Sequence, residues 1–398
     1  MKTSNQASLV PSSQGITRRD GLMLTMLGSA LLMAGCGGGG GGTTTAGAVA
    51  GSSASGAITG FGSIIVNGVR FDDSAASIQD DDGVGMNSGD LKMGMVVRIK
   101  GGKKNDDGVS IRAKADSIEV HSELQGPVDS IAAGLSSIVV LGQTVKISTS
   151  TFFDDGLTAA ALKTGDVVEV HGFVDPVAKT ITATRIELKP NAKVFKLQGA
   201  ISGLNATTFM IGAVTINYST AVVPSSLTLA NGSVVRVRLA ITPLTGTRTA
   251  LKVQKFEIEK EDQNEAEVEG IITAFTSTAL FSVNGLPVNA SGIVVPAGVK
   301  LGARVEVEGS IVNGVLVAKK VELEEGENVA KFELHGTISL LDTTAKTFVL
   351  RGVKVNYGSA TFTIGVTAIS LANGLNLEVK GVRSEANVIV ATRISLEK

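Results

Sequence analysis

Hydrophobic and polar residues alternate in short runs along most of the chain. The runs Val305-Glu-Val307-Glu-Gly309 and Leu377-Glu-Val379-Lys-Gly381 each carry an apolar residue at every second position. Because successive side chains of a strand point to opposite faces, this pattern predicts strands with one face on a core and the other in water. No run after residue 36 has helical spacing, so we expect an all-β protein.

One pattern recurs five times, at intervals of 66 to 73 residues. Each unit opens with a glycine, turns at a second glycine and carries a third glycine in a step of the type Leu-x-x-Gly. Three glycine series that keep the same order over five units predict tandem repeats. The opening glycines, which we interpret as structural residues of the repeat, are Gly56, Gly126, Gly199, Gly270 and Gly336.

Each unit contains a predicted β-hairpin. Asn67-Gly68 and Asn284-Gly285 separate two alternating runs, and both residue types accept the positive φ that a type I′ turn requires. The other three units keep only the glycine, in Leu141-Gly142, Ile211-Gly212 and Arg351-Gly352. We therefore expect a different turn in those hairpins.

Recurrent glycines near the end of the fourth run of a unit predict a bulge or a sharp bend. These glycines are Gly172, Gly309 and Gly381. Five or six short strands in an open sheet would leave two long edges unpaired, whereas closure into a barrel removes them. We therefore expect five tandem small β-barrels, OB-like or SH3-like, each with its own interior.

A single sandwich that spans several units is the alternative to separate barrels. The charged runs 259–265 and 322–327 lie at unit boundaries and favour barrels joined by short connectors. The predicted repeats are 54–122, 123–193, 194–264, 265–328 and 329–398.

The repeat pattern resembles a bacterial domain of unknown function of the DUF5666 type, which occurs in tandem behind lipoprotein signals. The shared features are the Gly-x-Ile opening, the Asn-Gly hairpin, the Leu-x-x-Gly-x-x-Val-x-Val-x-Gly step and the Ala-x-x-Ile-Glu ending. The resemblance covers about residues 54–398, and the third unit departs most, with Leu239 and Val253 in place of glycine and alanine. The resemblance implies no catalytic residue.

The N-terminal 35 residues have the pattern of a signal peptide. Arg18 and Arg19 precede an uncharged stretch, Gly21–Gly35, that is too short to span a membrane permanently. The sequence Leu32-Met-Ala-Gly-Cys36 resembles the lipobox of bacterial lipoproteins, which implies that Cys36 becomes the lipidated N-terminus. Residues 36–53, rich in Gly, Thr and Ser, are predicted to be a flexible tether.

The signal leaves the export route open. Arg18-Arg19 also resembles a twin-arginine export signal, and general secretion is the alternative. Gly37, rather than Asp, follows the cysteine, and by the sorting rule for lipoproteins this favours the outer membrane over the inner.

Composition excludes several classes of function. The formal net charge is -1, so the chain lacks the positive charge that nucleic-acid binding requires. Only 4% of the residues are aromatic, which leaves few side chains for stacking on bases or sugars. The single cysteine excludes an intrachain disulfide and multi-cysteine metal sites.

Two groups of residues are candidates for chemistry. Asp80, Asp82 and Asn87 lie in an acidic, glycine-containing stretch that either supplies oxygen ligands to a cation such as calcium or is a solvated loop. His121, His171 and His335 lie in different units, and we expect them to face solvent on strands. No sequence motif of a nucleophilic or hydrolytic enzyme is present.

The sequence therefore predicts a lipid-anchored cell-envelope protein that acts as a structural or binding array without catalysis or a cofactor. Its expected partners are the membrane, through the lipid, and an envelope protein or polymer. Two alternatives are an envelope protein that binds a small ligand or calcium, and an envelope hydrolase.

Overall fold

The computed structural model describes residues 51–108, 110–154, 157–256, 260–324, 331–363, 365–384 and 387–397. Arg18, Arg19 and Cys36 lie outside these residues. Regular structure in the described ranges consists of β-strands and four short 3-10 turns, Ser88–Asp90, Ala133–Leu135, Ala159–Ala161 and Ala368–Ser370. The all-β prediction is confirmed for these residues. Within them, no helix combines the length and the apolar character that crossing a membrane requires.

The strands are grouped here into five sets by position in the chain. Set 1 contains β1 (Ser52–Phe61), β2 (Ile64–Val66), β3 (Val69–Asp72), β4 (Ser77–Asp80), β5 (Val96–Gly101), β6 (Asn105–Asp106) and β7 (Ile111–His121). Set 2 contains β8 (Leu124–Ile131), β9 (Ser137–Val140), β10 (Gln143–Lys146), β11 (Phe152–Phe153), β12 (Val167–Asp175) and β13 (Thr180–Leu188). Set 3 contains β14 (Phe195–Ser202), β15 (Thr208–Ile211), β16 (Val214–Asn217), β17 (Val234–Leu239) and β18 (Arg248–Lys255).

The last two sets complete the chain. Set 4 contains β19 (Gln263–Ser277), β20 (Leu280–Val283), β21 (Leu286–Asn289), β22 (Arg304–Val312) and β23 (Val315–Leu323). Set 5 contains β24 (Lys331–Asp342), β25 (Thr347–Leu350), β26 (Val353–Asn356), β27 (Thr361–Phe362), β28 (Asn376–Arg383) and β29 (Ile389–Leu396).

The strands of a set close into a small barrel-like sheet. In set 4, β19 pairs with β20, β20 with β21, β21 in parallel with β23, β23 with β22, and β22 with β19 again. The other rings follow the same order: β1-β2-β3-β7-β5, β8-β9-β10-β13-β12, β14-β15-β16-β18-β17 and β24-β25-β26-β29-β28. Because each ring is closed, neither edge of the sheet is left unpaired, as predicted from the sequence.

The alternating runs place their apolar residues inside these rings. Val305 and Val307 are fully buried in the core of set 4, while Glu306 and Glu308 between and after them face outward. The apolar residues of sets 1 and 5, however, form one continuous cluster that also contains Phe152 of set 2. Sets 2 and 3 likewise share a cluster. The expectation of a separate interior for every unit is therefore wrong for these sets.

The opening glycine of a set lies beneath a side chain of the hairpin turn. A Cβ on Gly270 would lie 2.1 Å from Nδ2 of Asn284. Asn284 needs this space because its Nδ2 donates a hydrogen bond to the carbonyl of Glu269 (3.1 Å) and its Oδ1 accepts one from the amide of Ile271 (3.0 Å). The corresponding side chains over Gly56, Gly126, Gly199 and Gly336 are those of Asn67, Leu141, Ile211 and Arg351.

The hairpin turns differ from the prediction in two sets. Leu141 (φ 46°) and Arg351 (φ 49°) adopt the same left-handed conformation as Asn67 and Asn284, so their turns are of the same kind. Leu141 is 1% exposed, and packing of its side chain against the core offsets the strain of this conformation. In set 3 the turn differs as predicted, because β15 ends at Ile211 and the left-handed residue is Gly212.

The predicted bulges are confirmed. The register of the strand pair shifts at Gly172, Gly309 and Gly381. A Cβ at Gly309 would lie 2.1 Å from the carbonyl oxygen of Val317, so the bulge brings two backbones closer than a side chain permits. Set 3 has the same register shift at Leu239 and keeps the bulge without glycine.

Strands of different sets also pair with each other. The first half of β1 runs parallel to β19 (Ser52–Ser55 beside Glu265–Val268), and its end runs parallel to β24 at Gly60 and Phe61. The described residues from 51 onwards accordingly form one compact unit, in place of the expected beads on short connectors. Because β1 begins at Ser52, the regular structure starts two residues before the predicted end of the tether.

Candidate functional site

Buried charged side chains concentrate on one outer surface of the sets. In each set the opening, fourth and closing strands of the ring lie side by side, and the residues that alternate with the apolar core positions point outward. We call this surface the outer face of the set. Its charged residues are buried where another set covers it, as for His171, Arg185, Glu187, Lys196, Arg236, Glu267, Glu269 and His335.

The predicted acidic stretch lies against the outer face of set 3. A carboxylate oxygen of each of Asp80, Asp81 and Asp82 lies within 4.8 Å of the others. Lys196 Nζ is 2.7 Å from Asp82 Oδ2 and 3.2 Å from Asp81 Oδ1, and Arg236 also pairs with Asp81. The side chains of Asp81 and Asp82 are 2% and 8% exposed. A solvated loop is therefore the wrong description of these two residues.

Asn87, the third predicted ligand, lies apart from this cluster. It is exposed, and its amide N–H donates to Oδ2 of Asp90 (2.8 Å) at the start of the turn Ser88–Asp90. Of the predicted ligands, Asp80 and Asp82 thus lie together in a cluster that also contains Asp81. Asn87 instead caps the N-terminus of the turn Ser88–Asp90.

The charges of the acidic cluster and of set 3 stabilise one another. Burial alone raises the pKa of Asp82, but the hydrogen bond and the charge of Lys196 outweigh it, so the net shift is downward. Burial alone lowers the pKa of Lys196, and Asp81 and Asp82 reverse this, so its pKa is raised. Both groups are ionised at neutral pH, and the cations already satisfy oxygens that a metal ion would need.

A cavity of about 180 Å³ lies beside the acidic cluster, between sets 1 and 2. Its lining includes His171, whose Nδ1 donates to the backbone carbonyl of His121 (2.5 Å) and whose Nε2 has no hydrogen-bond partner among the described residues. The other lining residues are Asp80, Asp81, Met86, Met95, Val120, Ser122, Glu169 and Lys189. The lining thus combines charged and polar side chains with the apolar side chains of Met86, Met95 and Val120.

The expectation of solvent-facing histidines is wrong. His171 and His335 are 1% and 3% exposed, and His121 is half-buried. The alternation correctly places them outside the rings, but neighbouring sets cover the outer faces there. Burial, and after it the charge of Arg98, holds the pKa of His121 well below its usual value, so His121 is neutral at pH 7.

His335 lies at the centre of a second charged cluster, on the outer face of set 5. Its Nε2 is 2.5 Å from Glu333 Oε1, and its Nδ1 contacts a carboxylate oxygen of Glu397. Lys380 Nζ lies 2.9 Å from Glu333 and 3.3 Å from Glu378. Burial alone raises the pKa of Glu333, but the hydrogen bonds from His335 and Lys380 lower it to about 2.

Sequence reasoning did not find the cluster of set 5. The spacing Glu333-x-His335 places both side chains on one face of a strand, and Glu378-x-Lys380 does the same on another. Either pair alone is an ordinary alternating strand. Only the pairing of β24 with β28 shows that His335 lies opposite Glu378 and Glu333 opposite Lys380.

The outer face of set 4 carries like charges on neighbouring strands. Glu306 pairs in register with Glu269 on one side and Glu322 on the other. Burial, reinforced by the charges of Glu269 and Glu267, raises the pKa of Glu306 to about 8. The position is unfavourable for a charged side chain, and Glu306 is largely protonated at neutral pH.

Comparisons with known proteins find similarity to one domain family. No curated protein matches the chain. The family model described as a domain of unknown function (DUF5666) matches residues 125–187, 269–322 and 335–395. Each match begins on the opening strand of a set and ends on its closing strand, in sets 2, 4 and 5. The chain is therefore similar to this domain of unknown function over three segments, which lie in sets 2, 4 and 5.

Proposed function

We propose that the protein is a lipid-anchored component of the bacterial cell envelope, built from five repeats of one OB-like barrel and acting as a structural or binding body without catalysis. Sets 1 to 5 correspond to the five repeats. The common order of strand pairing supports this assignment. When only the five ring strands of a set are counted along the chain, they pair in the order one, two, three, five, four in every set, and strands three and five run parallel.

A recurrent pair of backbone hydrogen bonds gives further support to the repeats. In set 4 the amide of Gly302 donates a hydrogen bond to the carbonyl of Ile272 (2.9 Å). The amide of Ile272 in turn donates a hydrogen bond to the carbonyl of Ala303 (2.8 Å). Equivalent pairs join Gly94 with Ile58, Gly165 with Val128, Gly232 with Ile201 and Gly374 with Ile338. These glycines are the third series of the sequence pattern.

One observation carries the structural role: β1 pairs in parallel with both β19 and β24. Barrels that lie far apart in the sequence thereby share backbone hydrogen bonds, and charged outer faces pair across barrels, as in Lys196 with Asp82. The repeats then present binding surfaces at fixed distances, rather than as independently moving modules. An envelope protein or polymer is the partner that such a body fits.

The two alternative functions receive no comparable support. Lys196 and Arg236 already neutralise the acidic cluster, which disfavours calcium there. No contact among the described residues favours a hydrolase over a binding role.

The lipid anchor is tested by changing Cys36 to Ser. We expect the wild type to incorporate labelled palmitate and to fractionate with the outer membrane, and Cys36→Ser to lose the label and leave the membrane fraction. A matched control, Arg19→Lys, keeps the cysteine and alters only the export signal. Palmitate incorporation that survives Cys36→Ser would contradict the anchor, and a wild type in the inner membrane would contradict the sorting. Crosslinking in intact cells then identifies the partner.

A further inference from the structure

Glu333, His335 and Glu378 form a cluster on the outer face of set 5 that the proposed function does not use. One nitrogen or oxygen atom of each residue lies within 4.8 Å of those of the other two. His335 lies directly opposite Glu378 on the paired strands β24 and β28, and Glu333 lies two residues before His335 on the same face. Paired strands therefore hold the three groups in place.

We propose that His335, Glu333 and Glu378 bind a divalent transition-metal ion, for which zinc is the best-suited candidate. Zinc is commonly held by three protein ligands drawn from imidazole nitrogens and carboxylate oxygens, with water in the fourth position. One imidazole and two carboxylates within this distance supply such a set. Calcium prefers six or more oxygen ligands and does not suit it.

The surroundings of His335 match those of a metal-binding histidine. Such histidines use the second ring nitrogen to donate to a carboxylate, which fixes the orientation of the ring. Here Nδ1 of His335 faces Glu397, and Arg70 of set 1 holds that carboxylate from the other side (3.3 Å). Nε2 is left directed at Glu333 (2.5 Å). His335 and Glu333 would be ligands, whereas Glu397 and Arg70 would be positioning residues.

The ammonium group of Lys380 lies beside both proposed carboxylate ligands, where a cation is favoured. Its ammonium group lies within 3.3 Å of both carboxylate ligands, and its side chain is 45% exposed. Lys196 at the acidic cluster is 8% exposed and held in place, whereas Lys380 lies at the surface, so its flexible, strongly hydrated side chain can move into solvent when an ion enters. A divalent ion then supplies the positive charge that the Lys380 ammonium group provides to these carboxylates. Glu333 and Glu378, which are 25% and 27% exposed, leave an entry path on the solvent side.

Zinc titration of the full chain tests the proposal. The protein, purified in detergent and freed of metal with a chelator, is titrated with zinc chloride against a chromogenic zinc chelator. We expect one zinc ion per chain to be held in competition with the chelator, and no competition from calcium. His335→Gln and Glu378→Gln should each weaken binding by about 10-fold or more, because even the loss of a residue that only orients a metal ligand costs about that much.

Further variants separate a metal site from an ion-pair cluster. Lys380→Met removes the competing ammonium group and should tighten zinc binding several-fold, and because Lys380 is half-exposed this change leaves the fold intact. His171→Gln, a control at another buried histidine, should leave the affinity unchanged. A wild type that holds no zinc at micromolar concentration would overturn the proposal. So would equal affinities for wild type, His335→Gln and Glu378→Gln, with folding of each variant checked by circular dichroism.

Discussion

At the scale of single residues, the amino acid that a position tolerates depends on the side chain that packs over it from another part of the fold. Gly270 is glycine because the side chain of Asn284 crosses over it and bonds to the backbone on both sides, at Glu269 and Ile271. The spacing of the glycines predicted that they matter. The reason could not be predicted, because the approaching side chain comes from the hairpin turn rather than from the neighbouring sequence.

Gly270→Ala tests this close approach. The added Cβ displaces Asn284 and breaks its hydrogen bonds, so we expect the free energy of unfolding to fall by roughly 2 kcal/mol or more, in the range of overpacked sites. Denaturant unfolding followed by circular dichroism measures the effect. Gly292→Ala is the matched control, since Gly292 is exposed and has no atom near the added Cβ. Equal midpoints for the two variants would contradict the explanation.

At the scale of strands, the alternating pattern fixes which side chains face the core but not what covers the others. Lys196, Glu267 and His335 all occupy polar positions of ordinary alternating strands, and all are buried. The sequence could predict their side of the strand, because the period of two is local. It could not predict their burial or the site around His335, because these depend on strands that are distant in the chain.

The glutamates on β19, β22 and β23 give the outer face of set 4 a measurable pH dependence. The pKa of Glu306 is raised to about 8 in the folded protein, from the ordinary value of 4.5 for a glutamate. The folded state therefore holds a proton that the unfolded state releases above pH 4.5. Stability is lost as the pH rises from about 4.5 to 8, and the loss is complete above that range.

Glu306→Gln removes this loss. We expect the variant and the wild type to melt at similar temperatures at pH 5, and the variant to melt about 2 °C or more higher at pH 9. Thermal unfolding at the two pH values measures the difference. Glu308→Gln is the control on the same strand face, because Glu308 pairs with Lys320 (3.1 Å) and its charge contributes less to the raised pKa of Glu306 than those of Glu269, Glu267 and Glu324, so this variant should gain less at high pH. A variant of Glu306 that gains no more at pH 9 than at pH 5 would contradict the like-charge explanation.

At the scale of the whole molecule, the described residues from 51 onwards form one compact unit in which sets distant in the chain are neighbours. The parallel pairings of β1 with β19 and β24 join set 1 to sets 4 and 5, and the pair of Lys196 with Asp82 joins set 1 to set 3. The repeats were predictable from local periodicity. Their mutual packing was not, because nothing in the spacing of residues indicates which outer face meets which.

Zero-length coupling of Lys100 to Glu261 is the most direct test of this arrangement. Lys100 lies on β5 of set 1 and Glu261 lies two residues before β19, the first strand of set 4. Their charged groups are 2.8 Å apart, and both are accessible to a carbodiimide, with side chains 38% and 70% exposed. Lys320 and Glu308, both on set 4 and 3.1 Å apart, provide a positive control within one barrel. Lys100→Arg is the negative control, because a guanidinium group does not form the amide.

The packed arrangement predicts that mass spectrometry of the full chain, coupled at low concentration and recovered as monomer, finds the peptide of Lys100 joined to that of Glu261 alongside the control pair. Recovery of the Lys320–Glu308 product without any Lys100–Glu261 product would show that the barrels do not meet in this way.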